Sequence, residues 1–148
     1  MTPVPALKLD EFLCFEVYSA NHAFNRVYQP LLHKLHLTYP QYLVMVLLWE
    51  RDDQTVGELG ERLTLGSNTL TPLLKRLESL GHIKRSRDPA DERQVRVRLN
   101  ESGRTLRAKA LHLPGCILAA SGLNARTAKQ LMSGIATLRR ALENYDPE

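Results

Sequence analysis

Cysteine is scarce in this 148-residue chain: there are two, Cys14 and Cys116, 102 positions apart. So few cysteines at that spacing build neither a disulfide framework nor a zinc site. Glycine and proline are also sparse, at 8 each, which excludes collagen-like or linker-like material. Long apolar runs are missing too. The longest, Tyr42 to Trp49, falls far short of the roughly 18 to 20 residues that cross a bilayer. Met1 to Leu9 contains no charged start followed by an apolar stretch, so no secretory leader is expected. What is present, 43% hydrophobic and 24% charged residues, suits one domain able to bury a core. The expectation is a soluble cytoplasmic protein with no membrane contact. Its net charge of +4 is modest and only hints at an anionic partner.

That charge is not spread evenly. Residues 67–98 hold eight basic side chains (Lys75, Arg76, Lys84, Arg85, Arg87, Arg93, Arg96, Arg98) and four acidic ones (Glu78, Asp88, Asp91, Glu92), which accounts for the whole +4. The remainder of the chain is balanced. A cluster like this is often a solvated charged face, so its meaning depends on the elements that carry it.

Leu9, Leu13, Val17, Ala20, Phe24, Val27, Leu31 and Leu35 recur at steps of three or four, which predicts one long helix. Pro30 should kink it. Phe12, Phe15, Ala23 and Tyr28 widen the stripe beyond what one packing partner needs, which points to burial against a second chain. Thr38-Tyr39-Pro40-Gln41 reads as a capping box with proline in the first turn. The helix it opens has a body, Tyr42 to Trp49, that reads as fully buried. Arg51 to Gln54 reads as a turn. Thr55 to Glu58 is a second capping box, opening a short helix through Leu63 with Leu59 and Leu63 inward.

After a tight turn at Leu65-Gly66, a further helix is expected from Ser67 to Leu80, ended by Gly81. Two short helices joined this way are a helix-turn-helix. In the second, Leu70, Leu73 or Leu74, Leu77 and Leu80 take the inward stripe. Asn68, Thr69, Thr71, Pro72, Lys75, Arg76 and Ser79 face out. Amides and hydroxyls at the start of a helix suit base edges, and Lys75 and Arg76 suit guanine or phosphate. Ile83 to Arg87 and Val95 to Leu99 then read as two strands joined by Asp88-Pro89-Ala90-Asp91-Glu92. A basic β-ribbon directly after the reading helix makes a winged helix-turn-helix, with Arg93 at the tip placed for a minor groove. Lys84, Arg85, Arg96 and Arg98 either solvate the wing or touch phosphate. Helix returns from Asn100 through Leu111, Pro114-Gly115 interrupts it, and a last helix starts at Leu123-Asn124.

The predicted fold class is mostly α with a small β-wing. One domain, 1–148, has a winged helix-turn-helix core at 37–100, flanked by dimerisation helices at 1–36 and 101–148. A dimer matches how such proteins read two half-sites about 34 Å apart. The partner is therefore double-stranded DNA carrying a pseudo-palindromic operator.

Leu73-Leu74-Lys75-Arg76-Leu77-Glu78, Gly81-His82-Ile83, Asp91-Glu92-Arg93-Gln94-Val95 and Leu99-Asn100-Glu101-Ser102-Gly103 resemble the central motif of the MarR family of dimeric winged-helix regulators. The resemblance covers nearly the whole chain and implies that Asp91 braces Arg93. Upstream, Leu13 to Ser19, Val27-Tyr28 and Leu37 to Met45 are similar to the OhrR subfamily of organic-hydroperoxide sensors. That likeness implies a peroxide-reactive Cys14, hydrogen-bonded by the hydroxyls of Tyr28 and Tyr39 from the partner subunit. It also makes Cys116 a candidate resolving cysteine, through a bond between subunits.

Read from the residues alone, Cys14 is a small buried hydrophobe beside an apolar stripe. Tyr28 and Tyr39 are core aromatics with polar tips, and Cys116 is an inert thiol. A sensing cysteine needs a thiolate, nearby donors and access to oxidant. Tyr18 is a packed aromatic or a helper. His33 and His36, three apart, lack companion ligands and read as surface histidines rather than a metal site. No metal or cofactor is expected. The implied function is a homodimeric repressor that leaves its operator when organic hydroperoxide oxidises Cys14. A MarR-type repressor released by a small aromatic ligand, with Cys14 incidental, is the alternative. A thiol peroxidase is disfavoured by the basic winged helix, so the chain is not expected to be an enzyme.

Overall fold

The computed structural model describes Thr2 and residues 7–148. Residues 1 and 3–6, where the expectations for a leader and for the flanking segment 1–36 begin, lie outside the described residues. The chain divides into two compact units, Met1–Leu111 and His112–Glu148. Among the described residues no helix is long and apolar enough to cross a membrane.

The first unit opens with a single 3₁₀ turn, Leu9–Glu11, and then α1, Leu13–His33. Phe12 between them is extended, with φ −92° and ψ 109°, so the expected single helix from Leu9 is two pieces. Pro30 lies inside α1, which continues past it to His33. His36 turns the chain with φ 56°. α2, Tyr39–Glu50, begins at the expected capping box: Gln41 N–H donates to Thr38 Oγ1 and Thr38 N–H donates to Gln41 Oε1 at 2.9 Å. Val44 and Met45 are fully buried. Leu43, Val46 and Trp49 are only half-buried, so the body of α2 is not enclosed on every side as its composition suggested.

Arg51 to Gln54 is not simply a turn. Asp53 is left-handed, φ 58°, and β1, Gln54–Thr55, pairs with a strand far along the chain. α3, Val56–Leu63, starts from the Thr55/Glu58 capping box. Leu59 is buried and Leu63 half-buried. The left-handed residue before α4 is Thr64, φ 56°. α4, Ser67–Ser79, ends at Gly81, φ 83°. β2, Ile83–Arg87, and β3, Val95–Leu99, form the wing, and the antiparallel sheet has the order β1-β3-β2. Leu32 of α1, Leu48 of α2, Leu59 of α3, Leu74 of α4, Ile83 and Val97 of the wing, and Leu106 of α5 (Glu101–Ala110) build the core of this unit. α5 packs on α2 and β3, and the first compact unit runs through Leu111.

Gly103 explains one motif position. A Cβ there would collide with the His82 carbonyl oxygen, so α5 can approach the end of α4 only with glycine. Its own carbonyl accepts a bond from Trp49 Nε1 at 2.9 Å.

The second unit holds α6, Leu113–Ser121, and α7, Ala125–Glu143. Pro114 and Gly115 were expected to interrupt a helix. They instead sit in the first turn of α6, where proline loses no hydrogen bond; the break comes earlier, at Leu111 and His112. Asn124 caps α7, accepting from Thr127 N–H at 2.9 Å.

Candidate functional site

α4 separates its faces by residue type. Leu70, Leu74 and Leu77 are buried, while Leu73 is half-buried, which settles the choice between positions 73 and 74. Asn68, Thr69, Pro72, Lys75, Arg76 and Ser79 are exposed along the other face. Thr71, expected to face out, is half-buried. The exposed face starts with an amide and a hydroxyl and continues with two cations, a set able to donate to base edges and phosphates.

The wing's charges fall into two groups. Arg85 is tied to α4: its backbone N–H donates to Glu78 Oε2 at 2.8 Å and its guanidinium meets Glu78 Oε1 at 3.2 Å. These bonds, the backbone one foremost, hold the Glu78 carboxyl below the usual glutamate range. Arg96 reaches Asp53 at 2.9 Å and Asp88 at 3.1 Å, and Arg98 reaches Asp53 at 3.2 Å. Asp53 is held low chiefly by its bond from Arg96. Asp53 lies outside the charged stretch that sequence reading singled out. Only the left-handed turn and the β1–β3 pairing bring it there.

Arg93 is different. Its Nε donates to Asp91 Oδ1 at 3.1 Å, its backbone N–H donates to the same oxygen at 3.2 Å, and its side chain is still 91% exposed. The bond from Arg93 lowers the Asp91 carboxyl. The guanidinium is thus oriented without being covered. Lys75, Arg76, Lys84 and Arg87 have no carboxylate partner among the described residues.

Cys14 is exposed near the start of α1, and Cys116 is half-buried in α6 of the second unit; both are free thiols. Within one chain Cys14 is therefore not covered by its own fold. Tyr28 sits on the same helix as Cys14, 14 positions on, or about 21 Å along its axis. Tyr28 and Tyr39 meet, with ring centroids 4.8 Å apart, and Tyr42 joins them at 5.9 Å from Tyr28. Tyr42 was read from sequence only as a core residue. Burial, and then the neighbouring Tyr39 and Tyr42, push the Tyr28 phenol up to about 12; burial also raises Tyr39. Both hydroxyls therefore stay protonated at neutral pH and can donate.

A cavity of about 510 Å³ opens beside them, lined by His22, Arg26, Tyr28, His33, Leu37 and Tyr39 among others. Tyr18 lies edge-on to His22, with centroids 4.4 Å apart. His33 and His36 stand 6.5 Å apart, and among the described residues no group of three His, Cys, Asp or Glu could hold a metal.

The family model described as "Transcriptional regulator SarA/Rot" matches residues 26–109. The chain is 48% identical over 134 residues to the HTH-type transcriptional regulator TtmR of Methylorubrum extorquens, covering 90% of this chain and 69% of that protein. It is 46% identical over 136 residues to the organic hydroperoxide resistance transcriptional regulator of Bacillus subtilis, covering 92% of each. Among solved structures it is similar to AbfR, a Staphylococcus epidermidis protein. The reduced form bound to DNA matches with a TM-score of 0.76 and 35% identity, covering 89% of this chain and 92% of that one. The disulfide form matches with a TM-score of 0.62 and 36% identity, covering 85% and 88%.

Proposed function

Since the chain belongs to the SarA/Rot family of MarR-like winged-helix transcriptional regulators, we propose that it is a homodimeric, cytoplasmic repressor controlled by organic hydroperoxide. When reduced it binds a pseudo-palindromic operator. Asn68, Thr69 and Thr71 read bases, Lys75 and Arg76 hold guanine or phosphate, and Arg93, braced by Asp91, enters the minor groove. Segments 1–36 and 101–148 supply the dimer contacts.

One observation carries the redox part of this reading. Two protonated phenols, Tyr28 and Tyr39, pair beside a cavity, about 21 Å along α1 from their own chain's Cys14. On this reading the thiol they bond is that of a second copy, as the likeness to the hydroperoxide sensors implies. Donation from both hydroxyls favours the thiolate. The thiolate attacks the hydroperoxide: an S–O bond forms, the O–O bond breaks, and the alkoxide leaves as alcohol after taking a proton. The sulfenic acid at Cys14 is then attacked by the Cys116 thiol of the other subunit, an S–S bond forms and water departs. The peroxide gains two electrons and the two thiols lose them. Losing the thiolate removes the phenol contacts and shifts the helices that space the two α4 elements, so each half-site fits less well and DNA is released. The disulfide form known for AbfR and the hydroperoxide named for the Bacillus relative support this order of events.

The cavity also favours a second reading, in which a small aromatic ligand seated against Tyr28 and Tyr39 releases DNA and Cys14 is incidental. A gel shift decides between them. Organic hydroperoxide is expected to release the wild-type protein and reductant to restore binding, while Cys14→Ser stays bound throughout. Release of Cys14→Ser by peroxide would overturn the redox reading.

A further inference from the structure

Strand register sorts the wing's cations by direction. Ile83 pairs with Leu99, Arg85 with Val97 and Arg87 with Val95, while Lys84 pairs with Arg98 and Ser86 with Arg96. Side chains alternate along a strand, so Arg85 and Arg87 share the face of the buried Ile83, and Lys84 takes the opposite face. The Ile83 face is the side of the reading helix, because Arg85 on it is bonded to Glu78 of α4. Arg87 lies one pleat repeat further toward the tip, beyond the reach of that carboxylate. It is exposed and without an acidic partner among the described residues. It is also held in place, since its Nη1 donates to the Glu92 carbonyl oxygen at 3.3 Å. Glu92 directly precedes Arg93, so the turn that presents Arg93 orients Arg87 as well.

On the far face, Arg96 and Arg98 are consumed by Asp53 and Asp88. Lys84 stands there opposite Arg98, on the face away from the Arg85–Glu78 bond to α4. We infer that Arg87 is a further DNA contact, a phosphate clamp beside Arg93, and that Arg85, Arg96, Arg98 and Lys84 are not contacts. A guanidinium left uncovered, oriented by a carbonyl and placed on the α4 side is suited to a phosphate oxygen. This rests on the DNA-binding reading above, although not on its redox part.

The test is the salt dependence of binding to a duplex selected by the reduced protein from a random-sequence pool. Each phosphate contact adds about 0.9 to the slope of log affinity against log salt. Arg87→Gln is expected to lower the slope by about one and to weaken selected and random duplexes alike. Arg87→Lys should keep most of the slope, since it preserves the charge, and this variant guards against loss of fold. Lys84→Gln should leave the slope unchanged. An unchanged slope in a folded Arg87→Gln protein would overturn the inference, as would an equal fall in Lys84→Gln. If the wild type selects no duplex at all, it is the DNA-binding reading that fails.

Discussion

Leu70, Leu74 and Leu77 of α4 and Leu13, Val17 and Phe24 of α1 all follow helical spacing, yet their surroundings are opposite. The first three are at most 1% exposed, whereas Leu13 is 63%, Val17 44% and Phe24 46% exposed. Leu131, Ile135 and Leu142 of α7 are likewise 48 to 67% exposed. The same pattern of side chains is thus satisfied within the chain in the winged part and left open in the flanking helices. A periodic stripe identifies a helix that has something to bury; it does not say whether the covering surface belongs to the same chain. Under the proposed function, a second copy covers the open stripes.

Breaking the open stripe should have the largest effect. Leu13→Asp with Phe24→Asp places two carboxylates on it and is expected to give a monomer in sedimentation. Operator affinity should fall by about a thousandfold, because the second half-site no longer acts at high effective concentration. A double variant that stays dimeric and binds as before would remove α1 from the interface.

The comparison can be sharpened with one chemical change made in both places. Leu74→Ala, in the core, is expected to cost about 3 kcal/mol in urea unfolding, whatever the protein concentration. Leu13→Ala should cost far less in dilute protein, with a deficit that depends on concentration, because it acts on association. Equal, concentration-independent losses would mean that α1 is covered by its own chain.

The smallest effect concerns the join between α4 and the wing. The Glu78 carboxyl is lowered in the folded protein by the Arg85 bonds. Its contribution is therefore complete above the ordinary glutamate range and disappears as pH falls through the lowered folded value. Glu78→Gln should be modestly less stable than wild type at pH 7, with the two stability curves converging below about pH 4. A gap that persists at low pH would assign the loss to packing instead of charge.

What the sequence made legible was local. The capping boxes at Thr38 and Thr55 involve partners three residues away, and both strands of the wing carry their own alternation and turn residues, so their bounds were readable directly. What escaped depended on distant partners. β1 is two residues long, and nothing in Gln54-Thr55 marks a strand until β3 arrives beside it. Asp53 became part of the wing's charge balance for the same reason. Sequence reading set Arg76 and Arg93 apart from Arg85, Arg96 and Arg98 but did not single out Arg87; the fold pairs Arg85, Arg96 and Arg98 with carboxylates from distant turns and helices and leaves Arg87 without one among the described residues. Residue type alone read Cys14, Tyr28 and Tyr39 as packed side chains, and only the resemblance put them forward as a candidate sensor. The helix length then determined that Cys14 and Tyr28 of one chain stand too far apart to touch.

That separation along α1 has a genetic consequence. If each thiol is served by the other chain's phenols, a dimer holds two crossed half-sites. A chain carrying Cys14→Ser and a chain carrying Tyr28→Phe would each be unresponsive to peroxide as homodimers. Combined in one heterodimer, they place both lesions in the same crossed pair and leave the other pair whole. Two non-responsive alleles expressed together would then complement, regaining one working switch per heterodimer. Alleles of a sensor contained within each chain could not do so.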